Sequence, residues 1–304
     1  TVHRVCWVIE EKNMDEWVAR YCPWFRFHPD EAYYPVSVSQ YLAHCDLLDP
    51  LGEVKVPGPL TPLLLDQILM LHPEWTSTPY QYNVALKLGS HNPLVTARGA
   101  PNDTLAVHVV EDDTHVYIQY LMFYAYNGAS LLLNAFPMGA HEADLESVRA
   151  KVCKATGALE GYYLSHHGDA TWVTPDELEK EKGQVVIYVA KGSHAHYARP
   201  MATKRHYGCC YDYTGRGLLW SPRAFERLYE PGEAQYDPKT MGYLRLRGYL
   251  GRNSVAAFCL HDWWDASADV PAEADPLSDE ALEEMAQKYG AHRTSEGVYT
   301  MFGV

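Results

Sequence analysis

The chain has 304 residues, of which 47% are hydrophobic and 21% are charged, and its formal net charge at pH 7 is −14. This composition is typical of a globular protein, and the negative charge repels phosphate backbones, which excludes nucleic acid as an expected partner. No apolar run is long enough to span a membrane, and the 7 cysteines have no zinc-ribbon spacing, so we expect a reduced, cytoplasmic protein without an integral membrane segment.

The first third of the chain is predicted to form loops and short helices, residues 25–104, that pack on a later sheet. The segment Phe27 to Pro35 contains two prolines, which neither a helix nor a central strand tolerates, so it is predicted to be a structured loop. Ser37 to His44 and Thr61 to Leu71 have helical periodicity. The many turn-forming residues of 72–104 predict a long excursion or lid over a site.

From Leu105 onward the sequence is rich in β-branched and aromatic residues. Val107 to Glu111 and Thr114 to Tyr126 flank two aspartates and predict a hairpin. Both faces of the second segment are apolar, which predicts a central strand that is buried on both sides. Further strands are expected at Val5 to Ile9, Glu146 to Val152, Leu159 to Ser165, Gln184 to Ala190, Tyr243 to Tyr249 and Ala256 to Leu260.

Short strands separated by turns favour a mainly β fold, an antiparallel, jelly-roll-like β-sandwich with a few peripheral α-helices. We expect one domain, 1–304, with the core sandwich at about 105–260. The segment 278–289 is predicted to be a C-terminal helix, because it has an acidic first turn and an apolar face, and Gly290 follows it.

The densest group of metal-ligating side chains is His141 to Glu146, with one imidazole and three carboxylates in the run His-Glu-Ala-Asp-Leu-Glu. On a strand Asp144 and Glu146 share a face, and His141 joins them only if residues 140–143 form a turn or bulge. Carboxylates with one imidazole suit Mg²⁺, Ca²⁺ or Mn²⁺ better than Zn²⁺. We therefore predict a divalent metal ion at this position.

Two histidine clusters follow predicted strands farther along the chain. His166 and His167 follow the strand that ends at Ser165, and His194 and His196 follow the strand that ends at Ala190. A histidine at a strand end beside a glycine is well placed as a metal ligand or a general base. We predict that these clusters share one site with residues 141–146.

The residues of the predicted site are expected to have different roles. His166 is the fourth predicted metal ligand, while His167 and His194 are predicted to transfer protons. Tyr124 and Tyr126, on the preceding aromatic strand, are predicted to donate hydrogen bonds to developing negative charge. The chain has no nucleophile elbow, phosphate-binding glycine loop or dinucleotide fingerprint, which argues against serine-hydrolase and nucleotide-dependent chemistry.

Five motifs occur in an order that resembles the vacuolar protein sorting-associated protein sixty-two family. They are Phe27 to Pro35, Tyr124 to Asn127, His141 to Glu146, His166 to Gly168 and Tyr188 to Tyr197. The resemblance covers roughly residues 25–250 and implies no particular reaction.

The pattern His-x-x-Asp-x-Glu at 141–146 also resembles, more distantly, the metal-binding heptapeptide of the necrosis-inducing toxins. That likeness implies a β-sandwich with a divalent ion, held here by His141, Asp144 and Glu146. This chain differs from the toxin pattern at Ala143, where the toxins have a second histidine, and at Leu145, where a tryptophan is usual.

Three hypotheses about function follow from these patterns. The first is an enzyme with a divalent metal that acts on a hydrophobic small molecule by cyclisation, isomerisation, elimination or hydrolysis, in fungal-type secondary metabolism. The second is a non-catalytic binding module in which the ion and aromatic loops hold a lipid headgroup or a glycan. In the third, the ion or a network of histidines and carboxylates only fastens the strand ends together.

Overall fold

The computed structural model describes residues 11–49, 52–75, 85–88, 94, 99–128, 130–132, 136–138, 140–167, 169–204, 211–246, 250, 291–293 and 299–301. The elements predicted at 5–9, 256–260 and 278–289 lie outside these residues. Within this part of the chain, no helix is both long and apolar enough to cross a membrane.

The described elements are mostly strands. The α-helices are α1 (Glu11–Tyr21), α2 (Val38–Leu42), α3 (Pro62–Leu71) and α4 (Pro238–Met241), and short 3₁₀ helices lie at Pro73–Trp75 and Gly242–Arg245. The strands of the first half are β1 (Trp24–Phe27), β2 (Cys45–Leu48), β3 (Val54–Val56), β4 (Ala85–Leu88), β5 (Thr104–Glu111), β6 (His115–Asn127), β7 (Ser130–Leu132), β8 (Phe136–Met138) and β9 (His141–Cys153). Those of the second half are β10 (Leu159–His166), β11 (Asp169–Val173), β12 (Glu179–Glu181), β13 (Gln184–Val189), β14 (His196–Tyr197), β15 (Ala202–Lys204), β16 (Tyr211–Tyr213), β17 (Leu219–Trp220), β18 (Ala224–Arg227), β19 (Ala291–Arg293) and β20 (Tyr299–Met301).

The largest sheet has six strands in the order β11-β10-β9-β6-β5-β18. Its long central pair, β6 and β9, is antiparallel and runs from His115 opposite Cys153 to Asn127 opposite His141. The edge strand β18 is parallel to β5, whereas the other pairs of this sheet are antiparallel. The pairing of β6 with β9 places Tyr124 directly beside Asp144.

A second sheet has the order β12-β13-β1-β17, with β14 also paired to β13. Here β1 is parallel to β13, with Trp24 opposite Val186 and Phe27 opposite Val189. A small three-stranded sheet has the order β3-β2-β4. The fold is therefore mainly β with peripheral helices, as predicted, and parallel pairs occur within the mostly antiparallel sandwich.

The central strand β6 is buried on both faces, as its apolar alternation predicted. One face packs against the second sheet and α1, where Ile118 and Tyr120 meet Phe25 and Val18 in one hydrophobic core. The opposite face packs against α2, α3 and the small sheet and forms a second hydrophobic core. This core includes Leu121 and Phe123 of β6, together with Tyr41, Leu47 and Leu65.

The two N-terminal helix predictions are confirmed. α2 begins after Ser37, whose side chain accepts a hydrogen bond from the backbone N–H of Gln40, while the Gln40 side chain accepts one from the backbone N–H of Ser37. α3 begins after Thr61, which caps it in the same way by accepting from the N–H of Leu64.

Two other predictions are wrong in the described residues. The strand expected at 243–249 begins instead as a 3₁₀ helix, Gly242–Arg245. Gly242 lies against α3, where a Cβ atom would come within 2.0 Å of the Pro62 carbonyl oxygen, and this close approach favours a tight turn. The excursion expected at 72–104 contains, at Ala85–Leu88, the strand β4, which pairs with β2 and buries Leu86 and Leu88, so this described part of the segment is packed and regular.

Candidate active site

Histidines, carboxylates and hydroxyls from several strand ends form one group of hydrogen-bonded clusters beside the first core. We call this group the polar network; it comprises Glu31, Asp144, Glu146, Ser165, His167, Ser193, His194, His196, Tyr197 and Asp212. Its members come from the loop after β1, from β9, from the end of β10, from the segment after β13 and from β16. The three sequence clusters at 141–146, 165–167 and 193–196 are therefore brought together.

The first cluster is centred on His194, whose side chain is fully buried. Its Nδ1 atom donates to the Asp144 carboxylate at 2.8 Å, and its ring stacks on Tyr124 with the ring centres 3.6 Å apart. Because an ionised carboxylate only accepts hydrogen bonds, this contact places a proton on Nδ1. The Nε2 atom is buried, has no hydrogen-bond partner among the described residues, and lies 3.9 Å from a Glu31 carboxylate oxygen.

Glu31 fastens the loop after β1 to the loop that carries His194. One of its carboxylate oxygens accepts from the backbone N–H groups of Ala32 and Tyr33, and the other accepts from that of Gly192, each at 2.8 Å. The Glu31 side chain is 1% exposed. A buried carboxylate is stable only when hydrogen bonds replace its hydration, and here three backbone donors do so.

The second cluster links β9, β10 and β14. The Ser165 hydroxyl donates to the Glu146 carboxylate at 2.5 Å and lies 3.4 Å from Nδ1 of His196. Burial, followed by the neighbouring His194 and His166, lowers the pKa of His196 to about 3. His196 is therefore neutral at physiological pH, and its buried Nε2 atom has no hydrogen-bond partner in the part of the chain that the structure describes.

The third cluster is centred on Asp212, which is 1% exposed. Its carboxylate accepts from Nε2 of His167 at 2.5 Å, from the Tyr197 hydroxyl at 2.6 Å and from the Ser193 hydroxyl at 2.7 Å. The His167 side chain is 20% exposed, so it lies at the rim of the network. His167 also has a φ of +52°, a conformation that is uncommon for a residue with a side chain and that aims the ring toward Asp212.

Of the remaining predicted residues, His166 adjoins the clusters, with its ring stacked on that of Tyr197 and the ring centres 5.8 Å apart, while His141 and Tyr126 have other contacts. His141 donates through Nδ1 to the backbone oxygen of Ala143 at 2.7 Å, and Ala143 has a φ of +57°. β9 nevertheless keeps one register with β6 from His141 onward, so the turn or bulge that was predicted to bring His141 to Asp144 and Glu146 is not formed in this strand. His166 contacts the Thr171 hydroxyl at 2.8 Å. Tyr126 is half-buried and packs on Tyr33, with ring centres 5.0 Å apart.

Among the described residues, no group of three or more histidine, cysteine or acidic side chains is arranged to hold a metal ion. Asp144 and Glu146 instead bond to His194 and Ser165, and the His141 ring contacts backbone oxygens. Carboxylate oxygens and an imidazole nitrogen are still donor types that suit a hard divalent cation. When Nδ1 of a histidine donates to a backbone oxygen, as in His141, the Nε2 atom is commonly the metal ligand. The ion, and its identity as Mg²⁺, Ca²⁺ or Mn²⁺, stays a prediction.

The family described as vacuolar protein sorting-associated protein 62 matches residues 7–206, about two thirds of the chain. The chain belongs to this family. The match contains every residue of the polar network except Asp212. A comparison with curated proteins gives no match.

Several solved structures resemble this family member at low sequence identity. One is described as a toxin fold for microbial attack and plant defense, at 14% identity over 72% of this chain and 76% of the other, with a TM-score of 0.37. Another is NLPPya in complex with mannosamine, at 11% identity over 73% and 77%, also with a TM-score of 0.37. A third is Necrosis and Ethylene inducing Protein 2 from the causal agent of cocoa's Witches Broom disease, at 12% identity over 89% of each chain, with a TM-score of 0.31.

Five residues of the network were not identified as site residues from the sequence of this family member: Glu31, Ser165, Ser193, Tyr197 and Asp212. Ser165 and Ser193 stand directly beside histidines that were identified, so their neighbours were an available signal. Asp212 stands alone between Tyr211 and Tyr213, and only the pairing of β16 with β15 turns it inward and its two neighbours outward.

Proposed function

We propose that this protein is an enzyme that transfers a proton to or from an apolar organic molecule, with His167 as the acid–base group. The observation that carries the proposal is the contact between Nε2 of the partly exposed His167 and the buried Asp212 carboxylate. A carboxylate that accepts from one ring nitrogen fixes the orientation and the tautomer of the imidazole. The other ring nitrogen, Nδ1, is then the atom that takes up or releases the substrate proton.

Asp212 is itself held in place, which is what a positioning carboxylate requires. The Ser193 and Tyr197 hydroxyls both donate to it, and its side chain is fully buried. A carboxylate with three donors cannot rotate without breaking a hydrogen bond in a water-poor setting. His167 thus has a rigid support on one side and access to solvent on the other.

Exposed aromatic side chains on the strand that carries Asp212 are the reason for proposing an apolar substrate. Tyr211 is 38% exposed and Tyr213 is 44% exposed; they flank Asp212 on β16 and project from the opposite face of that strand, at the protein surface. Met201, next to the paired strand β15, is 44% exposed. Aromatic and thioether groups around a few polar atoms are typical of sites for hydrophobic small molecules.

The buried members of the network hold the other residues of the site in place. His194 and Tyr124 lie in the interior, where they fasten the loop that carries Ser193 to the large sheet through Asp144. A divalent ion at His141, Asp144 and Glu146 would require the two carboxylates to exchange their bonds to His194 and Ser165 for bonds to the ion. The acid–base role of His167 does not depend on that ion.

Deuterium exchange provides the test, because it reports proton abstraction without knowledge of the natural substrate. The protein is incubated in deuterium oxide with phenylacetone or acetophenone, and proton NMR follows the loss of the signal from the carbon beside the carbonyl. His167→Gln and Asp212→Asn are expected to slow the exchange by about 100-fold, since positioned acid–base groups contribute that much. Exchange that is no faster than in buffer, or that survives in His167→Gln, would refute the proposal.

His115→Gln is the matched control. The His115 side chain is also 20% exposed and contacts a carboxylate, Glu160, at 3.2 Å, but it lies outside the polar network. It should leave the exchange rate unchanged. Saturation-transfer NMR on the same ketones separates the remaining class of function, because a binding module would bind them through the exposed tyrosines without accelerating exchange.

A further inference from the structure

A cavity of about 50 Å³ lies away from the polar network, between the start of α2, β5 and β18. Apolar side chains of the large sheet, Leu121 and Phe123, form part of its lining. Ser39 and Thr104 contribute polar atoms, and Glu226 contributes a carboxyl group. No residue of the polar network lines this cavity among the described residues, so it is a separate feature of the molecule.

Glu226 is the unusual member of this lining. It lies on β18 opposite Ala106 of β5, and it is half-buried. In the described part of the chain its carboxyl group forms neither a hydrogen bond nor an ion pair. Burial raises the pKa of Glu226, and the nearby Tyr243, which also lines the cavity, has a raised pKa from its own burial and from the Glu226 charge.

A partly buried carboxylate without a partner is unfavourable, because it loses hydration and gains nothing in return. A ligand that supplies both positive charge and N–H donors compensates for that loss better than a neutral molecule does. A metal ion is a poorer match, since Mg²⁺ and Ca²⁺ require several oxygen ligands and Glu226 is the single acidic residue in the lining.

The size of the cavity limits the ligand further. One water needs about 10 to 15 Å³ measured in this way, so there is room for about three to five non-hydrogen atoms. We propose that this cavity binds a small organic ammonium group, with the Glu226 carboxylate as its counter-ion and Leu121 and Phe123 against its carbon atoms. This site is independent of the acid–base function proposed for His167.

Ethanolammonium chloride is the probe, and ethylene glycol is the neutral molecule of nearly the same shape. Binding is measured by isothermal titration calorimetry on the full chain at constant ionic strength, and checked by the shift in melting temperature. We expect saturable binding of ethanolammonium and binding of ethylene glycol that is weaker by about 10-fold or more, as expected when a charge-assisted hydrogen bond is missing.

Glu226→Gln keeps the shape of the side chain and removes its charge, and it is expected to weaken ethanolammonium binding to the level of ethylene glycol. This variant should fold at least as stably as the native chain, because an amide is easier to bury than an unpaired carboxylate. Glu53→Gln is the control, since Glu53 is 75% exposed and lies just before β3, outside the lining of this cavity. Equal binding of both probes, unchanged binding in Glu226→Gln, or no saturable binding of ethanolammonium would each overturn the proposal.

Discussion

The contact between Glu31 and the 192–197 loop gives the sharpest test of how the polar network is held together. We predict that Glu31→Gln destabilises the protein although it changes only one oxygen to an NH₂ group. Each carboxylate oxygen faces a backbone N–H, since Ala32 and Tyr33 donate to one oxygen and Gly192 donates to the other. Either orientation of the glutamine amide therefore sets its NH₂ group against at least one backbone donor.

The amide oxygen will face the pair of donors, which leaves the Gly192 N–H unsatisfied. The loss combines one hydrogen bond to a charged group with one buried N–H that has no acceptor, and together these cost about 3 kcal/mol in the free energy of unfolding. For a chain of 304 residues, with an unfolding entropy of about 2.1 cal/mol/K per residue, that loss corresponds to a fall in melting temperature of roughly 5 °C.

Urea unfolding followed by tryptophan fluorescence measures the effect, with Glu53→Gln as the exposed control. The control is expected to change the free energy of unfolding by no more than about 0.5 kcal/mol. If Glu31→Gln were as stable as the control, the Glu31 contacts would contribute nothing net, and the view that Glu31 fixes the loop would be refuted.

Three other predictions concern pH, packing and metal. Burial lowers the pKa of His108 to about 3. Between about pH 6.5 and 3 the unfolded chain therefore binds a proton at His108 that the folded chain does not. The free energy of unfolding falls as the pH falls through this range, by up to about 1.4 kcal/mol per pH unit. His108→Gln should reduce this loss in urea unfolding at pH 5 relative to pH 7. Gly217→Ala should lower the free energy of unfolding by about 2 kcal/mol in the same assay, because its Cβ would lie 2.7 Å from the Phe27 carbonyl oxygen, and a thermal melt equal to the native one would contradict this. Elemental analysis is expected to find a divalent ion that Asp144→Asn removes and Asp212→Asn retains, and metal-free native protein would end the metal hypothesis.

The alternation of side chains along single strands was enough to predict the centre of the fold. Apolar residues at both parities of 114–126 indicated a strand buried on both sides, and β6 has that position. The shared parity of Asp144 and Glu146 likewise placed both carboxylates on the network side of β9. These features depend only on a period of two residues, which the sequence displays directly.

Contacts between distant segments could not be predicted in this way. Glu31 reaches Gly192 across 161 residues because β1 is parallel to β13, and no local pattern encodes that pairing. Asp212 accepts from His167, 45 residues earlier, and no local pattern indicates this contact. Glu142, to which no role was assigned from the sequence, accepts from the Leu88 N–H of β4.

The parallel pairing of β1 with β13 has a consequence for the order in which the protein is made. Phe27 and its partner Val189 are 162 residues apart, so the first strand of the second sheet has no neighbour until the ribosome has produced most of the chain. Phe25 and Phe27 are fully buried in the finished fold. During that interval their side chains are exposed apolar surface, which chaperones can bind and through which copies of the chain can associate. The polar network requires Glu31 next to Gly192, so it forms only after β13 has been synthesised. It is therefore among the last features of the protein to be assembled.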